Sequence, residues 1–189
     1  MNELKRDTLA LRQRLKGLSS RTVEKPTLVY FDIVGIAWPI RVMLHLSDVD
    51  YELIRISVFE WGQRDADGKS ILKPCFTNGH LPLYLDSEVE LNQSALIIEH
   101  LADKHGFLAS AGVERTMALE VMHQAYDALF HWNGMLPVNI RIGMSDEEAN
   151  RRLDAFMGEG EYGLSTDGFR LNLNAFERYL TKSDSDYFV

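Results

Sequence analysis

The chain has 189 residues but only one cysteine, Cys75, and five prolines. A lone thiol excludes an internal disulfide framework and suits a reducing compartment. No apolar run approaches the roughly 20 residues that a membrane-spanning helix needs, which excludes an integral membrane protein of that kind. Basic side chains are the minority: 20 Lys and Arg against 28 Asp and Glu leave a formal charge of -8. A general nucleic-acid binder would show the opposite excess.

The charge is unevenly placed. Residues 1–25 carry seven basic side chains (Lys5, Arg6, Arg12, Arg14, Lys16, Arg21, Lys25) and three acids, a local +4 on a body of -12. Leu4, Leu11, Leu15 and Leu18 recur at helical spacing, so this leader can form a short amphipathic helix. It has no apolar core of the kind a secretory signal requires, and its acids suit an organelle transit peptide poorly. The leader is expected to be a solvated extension; a partner-docking helix is the alternative.

From Pro26 the pattern becomes that of a folded module. Thr27–Ile33 and Tyr51–Val58 are rich in β-branched and aromatic residues and read as strands. Between them Gly35 breaks the chain, and Pro39 suits the first turn of a helix with Ile40, Met43, Leu44 and Ser47 on its inner face. A polar stretch from Glu60 to Asn78 shows little periodicity. Leu81–Leu85 and Val89–Leu91 form a hairpin around Asp86-Ser-Glu88, and a helix from Ser94 to Lys104 stops at Gly106. The result is a small mixed sheet with helices against it.

Beyond Gly112 no segment reads as a strand. Ala118, Met122, Ala125, Leu129, Trp132 and Leu136 make a stripe along a long helix over 114–136. Ser145-Asp-Glu-Glu148 is a capping box opening a second helix to about Met157. Phe169, Leu173, Phe176 and Leu180 mark a third. Three domains follow: 1–25, a basic N-terminal extension; 26–107, an α/β module; and 108–189, an all-helical one.

Two constellations fail on their surroundings. Gly158-Glu-Gly-Glu-Tyr-Gly163 spells G-x-G-x-x-G, but a dinucleotide site needs a preceding strand, and Glu159 and Glu161 would repel phosphate. It reads as a break between helices. Glu120, His123, Asp127 and His131 share one helical face, yet a straight helix spreads them over about 16 Å, too far for one metal ion. They read as a polar face or a dimer contact. Cys75 has no neighbouring pattern that suggests a nucleophile, and no metal is expected.

The ordered set Tyr30, Trp61, Gly79-His-Leu-Pro82 and Asn92-Gln-Ser94 is more specific. A proline opening a strand is a candidate cis bond that turns the Leu81 backbone toward an extended ligand. Gln93 and Ser94 stand at a helix N-terminus, where free N–H groups favour a carboxylate. Together they suit a short peptide with an anionic end.

That order, with Val29-Tyr-Phe-Asp-Ile-Val-Gly35, Pro39-Ile-Arg41 and Leu91–Ala102, resembles the cytosolic glutathione transferases, most nearly the sigma, pi and mu-like group. The resemblance covers 27–108 well and the helical half more loosely. It implies a thioredoxin-like domain (β-α-β-β-β-α), a helical domain, and a cytoplasmic homodimer that binds glutathione and acts in detoxification. By position, Tyr30 would be the catalytic residue, its hydroxyl donating to the glutathione sulfur. Leu81 would pair with the cysteinyl backbone across cis-Pro82, and Gln93 and Ser94 would hold the γ-glutamyl end. Trp61 and Lys73 would meet the glycyl carboxylate, with Lys69 as a competitor, and His80 stands where Lys or Gln commonly binds that end. Asp127 resembles the acid that reaches the glutathione amino group from a partner subunit.

The departures are as informative. Ile36 stands where many relatives carry an arginine that supports the thiolate, and Trp38 replaces an acid. The family usually continues past a segment like Tyr187-Phe-Val189 with further helices that line the electrophile pocket, so the helical module is expected to be incomplete. The implied function is conjugation of the glutathione thiolate to hydrophobic electrophiles or a glutathione-dependent isomerisation. The alternative is a non-catalytic binding or scaffold subunit whose residues 1–25 dock a protein partner.

Overall fold

In a computed structural model, described for residues 3–19, 23–135, 145–157 and 168–182, the chain divides into two compact units, Met1–Phe107 and Leu108–Val189. The first begins with α1 (Glu3–Lys16), followed by β1 (Thr27–Phe31), a 3-10 turn over Gly35–Ala37, α2 (Trp38–Leu46) and β2 (Glu52–Ile56). Next come α3 (Val58–Trp61), a 3-10 turn at Lys73–Cys75, β3 (Leu83–Leu85), β4 (Glu90–Leu91) and α4 (Ser94–Lys104). The sheet order is β2-β1-β3-β4. β1 and β2 run parallel, which requires a crossover, and α2 supplies it. β3 lies antiparallel to β1 and to β4.

Register divides the core between two sheet faces. Leu28 pairs with Leu53 and Tyr84, and Tyr30 with Arg55, so these five share one face. Tyr84 meets His100 of α4 at 6.1 Å between rings, which places that face toward the helices. Val29, Phe31, Ile54 and Ile56 point the other way, where Phe31 packs edge-on against Trp61. Leu28, Val29, Ile40, Leu44, Ile56, Leu85, Ile97 and Leu101 are fully buried. Each such side chain contributes about 1.5–3 kcal/mol.

The strands are shorter than their sequence patterns. β1 stops at Phe31 because the chain curls into the turn over Tyr30, and Val58 leaves β2 to open α3, capped by the reciprocal Ser57–Glu60 box. The leader is the larger correction. It is a helix with Thr8 and Leu15 buried, packed against α3 and the Lys73–Cys75 turn rather than a solvated extension. Within the second unit, α5 (Val113–Met135), α6 (Asp146–Met157) and α7 (Gly168–Lys182) pack on one another. Ser145 caps α6, accepting the Glu148 N–H at 3.2 Å. Among the described side chains of α5 the most buried are Tyr126 and Ala128, off the expected stripe, and Ala125 is exposed. The Gly158–Gly163 segment lies outside the described residues.

Candidate functional site

Tyr30, the penultimate residue of β1, has its ring buried and its oxygen beneath the following turn, where it accepts the Ile36 N–H at 3.1 Å. Burial pushes the phenol pKa up, more than the Ile36 hydrogen bond lowers it. A phenol in that state keeps its proton at neutral pH and can donate it to an anion. The turn closes so tightly because Gly35 adopts φ +44, and a Cβ there would lie 2.4 Å from the Tyr30 oxygen. Gly35→Ala is therefore expected to destabilise the first unit by about 2 kcal/mol through left-handed strain and the displaced phenol. In a Tyr30→Phe background the same change should cost clearly less, because the clashing oxygen is gone. Urea titrations of the two single variants and the double variant measure this; additive losses would refute the contact.

Arg41 approaches from α2 and stacks its guanidinium 5.3 Å from the Trp38 ring centre. Its side chain joins Tyr30, Asp32, Ile33, Val34 and Arg55 around a cavity of about 200 Å³. Arg55 and Asp32 pair across this mouth at 3.4 Å. The turn over Tyr30 offers a backbone N–H at Ile36, and the nearby basic groups are Arg41 and Arg55 from outside it.

A continuous rim runs from the end of β1 to the start of α4. Phe31 contacts Trp61 at 5.4 Å, and Trp61 contacts Phe76 at 5.6 Å. Lys73 sets its ammonium 5.9 Å from the Trp61 ring centre. Of the two candidate lysines, it is thus Lys73 that lies beside Trp61; Lys69 sits at an exposed turn whose N–H is held by Asp65. Next to Lys73 comes Gly79, whose Cβ would meet the Lys73 Cβ at 3.9 Å. His80 follows, exposed, its N–H donated to Asn78 Oδ1 at 3.2 Å. The Leu81–Pro82 bond is cis and both residues are buried. Among the described residues, no hydrogen-bond partner meets the Leu81 N–H or C=O.

Asn92 closes the rim. Its amide donates to the His80 and Pro82 carbonyls at 3.3 and 3.1 Å, tying this loop to the start of α4. Gln93 is the N-cap, exposed and without a side-chain cap bond, and Ser94 is the buried first helical residue. The structure therefore gathers Tyr30, Trp61, Lys73, His80, Leu81, Pro82, Gln93 and Ser94 along one edge of the first unit. Asp127 stands exposed on α5 in the second. Sequence reasoning missed the fastening role of Asn92 and the aromatic support from Phe31 and Phe76. Asn92 sat beside Gln93 as a visible polar residue, but nothing local to it reveals a bond to carbonyls ten and twelve residues earlier.

Two other groups belong to the frame. Cys75 places its sulfur 3.9 Å from the Arg12 carbonyl, and burial raises its thiol pKa more than the Arg12 and Lys16 charges lower it. Asp86, Glu88 and His100 offer ligand atoms within 4.8 Å of one another, but the Lys104 ammonium sits there, 2.9 Å from Asp86 and 2.7 Å from Glu88. An ammonium occupies the place a cation would take.

No protein-family model matches the chain. It is similar to glutathione S-transferase 4 of Caenorhabditis elegans, 34% identical over 103 residues that cover 54% of this chain and 46% of the relative. Glutathione S-transferase P of the same organism is 33% identical over 112 residues, 56% of this chain and 50% of the relative. The chain thus spans about half the length of the curated relatives it matches. Among solved structures, the glutathione S-transferase from Ascaris lumbricoides superposes with a TM-score of 0.66 at 24% identity, covering 87% of this chain and 72% of that one. This likeness shows the fold: a thioredoxin-like module with a four-stranded mixed sheet, followed by a helical one. Relatives and fold alike thus make the chain similar to the glutathione S-transferases, over about half the length of those relatives.

Proposed function

We propose that this chain binds glutathione along the rim and is a glutathione transferase whose first step is stabilisation of the thiolate by Tyr30. The observation that carries this reading is the Tyr30 hydroxyl, a protonated donor held under the Gly35–Ile36 turn at the head of the rim. A free thiol titrates near 8.5 and is mostly protonated at neutral pH, so a hydrogen bond to the sulfur enlarges the reactive fraction. The thiolate lone pair then attacks an electrophilic carbon, a carbon–sulfur bond forms, and the leaving group departs with its electron pair; the thiol proton passes to solvent. With an isomerisable substrate, the same thiolate adds and is later expelled.

The remaining residues divide the peptide between them. The Leu81 N–H and C=O are open to pair with an extended backbone beside Pro82. The first N–H groups of α4 at Gln93 and Ser94 favour the γ-glutamyl carboxylate. Lys73, beside Trp61 and Gly79, supplies charge for the glycyl carboxylate, with His80 next to it. Asp127 belongs to this reading only as a group reaching a second copy in a homodimer. A hydrophobic electrophile, a role in detoxification and a cytoplasmic location complete it; among the described residues no helix is long and apolar enough to cross a membrane.

A second reading is favoured by Ile36 and Trp38, which give the turn above Tyr30 no cation of its own. On that reading the protein is a non-catalytic binding subunit. Titration calorimetry with glutathione, followed by a conjugation assay against an aryl halide, separates the two. Binding with turnover supports the enzyme; binding without turnover supports the subunit. No heat at millimolar glutathione defeats the enzyme and leaves only a scaffold subunit that makes no use of glutathione.

A further inference from the structure

We propose that α1 is a brace for the 58–79 segment and positions the side chains that meet the glycyl end of glutathione. This inference rests on the glutathione reading of the rim. The 58–79 segment is built only of short elements: a four-residue α3, the three-residue turn at Lys73–Cys75, a bridge between Arg64 and Ser70, and loop bonds such as Ile71 N–H to the Gln63 carbonyl. Elements this short hold their shape only through tertiary packing. Yet α3 carries Trp61 and the turn carries Lys73, the ring and ammonium that lie 5.9 Å apart at the rim.

α1 packs against both of these elements. Leu15 is 3% exposed and Thr8 fully buried, while Thr8 returns its hydroxyl to the Leu4 carbonyl and so leaves only its methyl side for packing. The Cys75 thiol, next to Pro74 and two residues from Lys73, reaches the Arg12 carbonyl at 3.9 Å. On the opposite flank Arg14 pairs with Glu52 at 2.6 Å and anchors the helix to the first residue of β2. The helix thus joins the rigid sheet to the loop. Its polar side keeps Lys5, Arg6 and Gln13, which makes the buried stripe narrow and its loss by one substitution realistic. Trp61 itself leans on Phe31 and Phe76, so its ring has support from the sheet and from the braced segment at once. Releasing α1 removes only the second support.

The test uses the full chain with Leu15→Asp, and with Leu15→Met as the conservative control. Glutathione and γ-glutamylcysteine, which lacks the glycyl residue, are titrated by calorimetry, and amide exchange is followed by mass spectrometry. Leu15→Asp should weaken glutathione by about tenfold and leave γ-glutamylcysteine unchanged, with Leu15→Met restoring the affinity. Exchange should quicken over 58–79 and not in β1 or β3. Equal weakening of both ligands, unchanged glutathione affinity, or unchanged exchange over 58–79 would each overturn the brace while leaving the glutathione reading in place. If the wild-type chain takes up neither ligand, the glutathione reading fails; faster exchange over 58–79 in Leu15→Asp then still reports the brace, without its ligand role.

Discussion

Asp86→Ala should lower the stability of the first unit by about 3 kcal/mol, the cost of removing one member of a buried charged network. Asp86 is 2% exposed and fills the turn between β3 and β4. One carboxylate oxygen accepts from Tyr84, Lys104 and, at longer range, His100, at 3.1, 2.9 and 3.4 Å. The other accepts the Glu88 and Val89 N–H groups at 2.8 and 3.0 Å. Alanine strands a buried phenol and two backbone donors at once. Asp86→Asn keeps an acceptor for the turn and should lose roughly half as much. Urea titration followed by tryptophan fluorescence measures both, and a loss below about 1 kcal/mol for alanine would show that the network is not cooperative.

The same carboxylate gives stability a pH dependence of known sign. Burial alone would raise its pKa, but the hydrogen bonds from Lys104, Glu88, Val89 and His100 outweigh it and hold the group well below its ordinary value. A folded value below the unfolded one, near 3.9, means the contribution is complete above that pH and is lost as the pH falls through the folded value. The wild-type chain should therefore lose stability below about pH 4 more steeply than Asp86→Asn does. Parallel acid slopes in the two proteins would contradict this.

On the proposed glutathione-transferase reading, Tyr30→Phe should cut conjugation at neutral pH by about tenfold to a hundredfold. That range is the worth of one hydrogen bond to a charged sulfur, expressed as one to two units in the thiol pKa. The loss should shrink as the pH approaches 9, because a thiol titrating near 8.5 then ionises unaided. A pH profile of kcat/KM therefore separates this role from a general disturbance of the site, which would depress the rate at every pH. Turnover and profile equal to wild type would remove Tyr30 from the mechanism. The variant also leaves the Ile36 N–H without its acceptor, a modest stability cost of about 1 kcal/mol that the urea titration reports separately.

Much of the local structure was legible in the chain. Strand composition around Tyr30, Pro39 at the head of α2, the Asp86-Ser-Glu88 hairpin, helix α4 over Ser94–Lys104 and the Ser145 capping box all rest on neighbours a few residues apart. For the same reason the cis bond at Pro82 was legible, since its signature is local. The polar stretch after β2 was not. Its order comes from Trp61 against Phe31 thirty residues earlier and from α1 beneath it, and neither contact leaves a periodic trace.

The sequence by itself determined the element types, the division of charge between a basic leader and an acidic body, and the ordered residues along the rim. Only the tertiary structure decided that the leader folds back onto the module, that Gly35 must be glycine because Tyr30 lies under it, and that Asp86 meets Lys104 rather than water. The physical reason is range. Propensity, capping and turn chemistry act within about four residues, whereas burial and buried charge are set by whichever distant segment arrives to cover them.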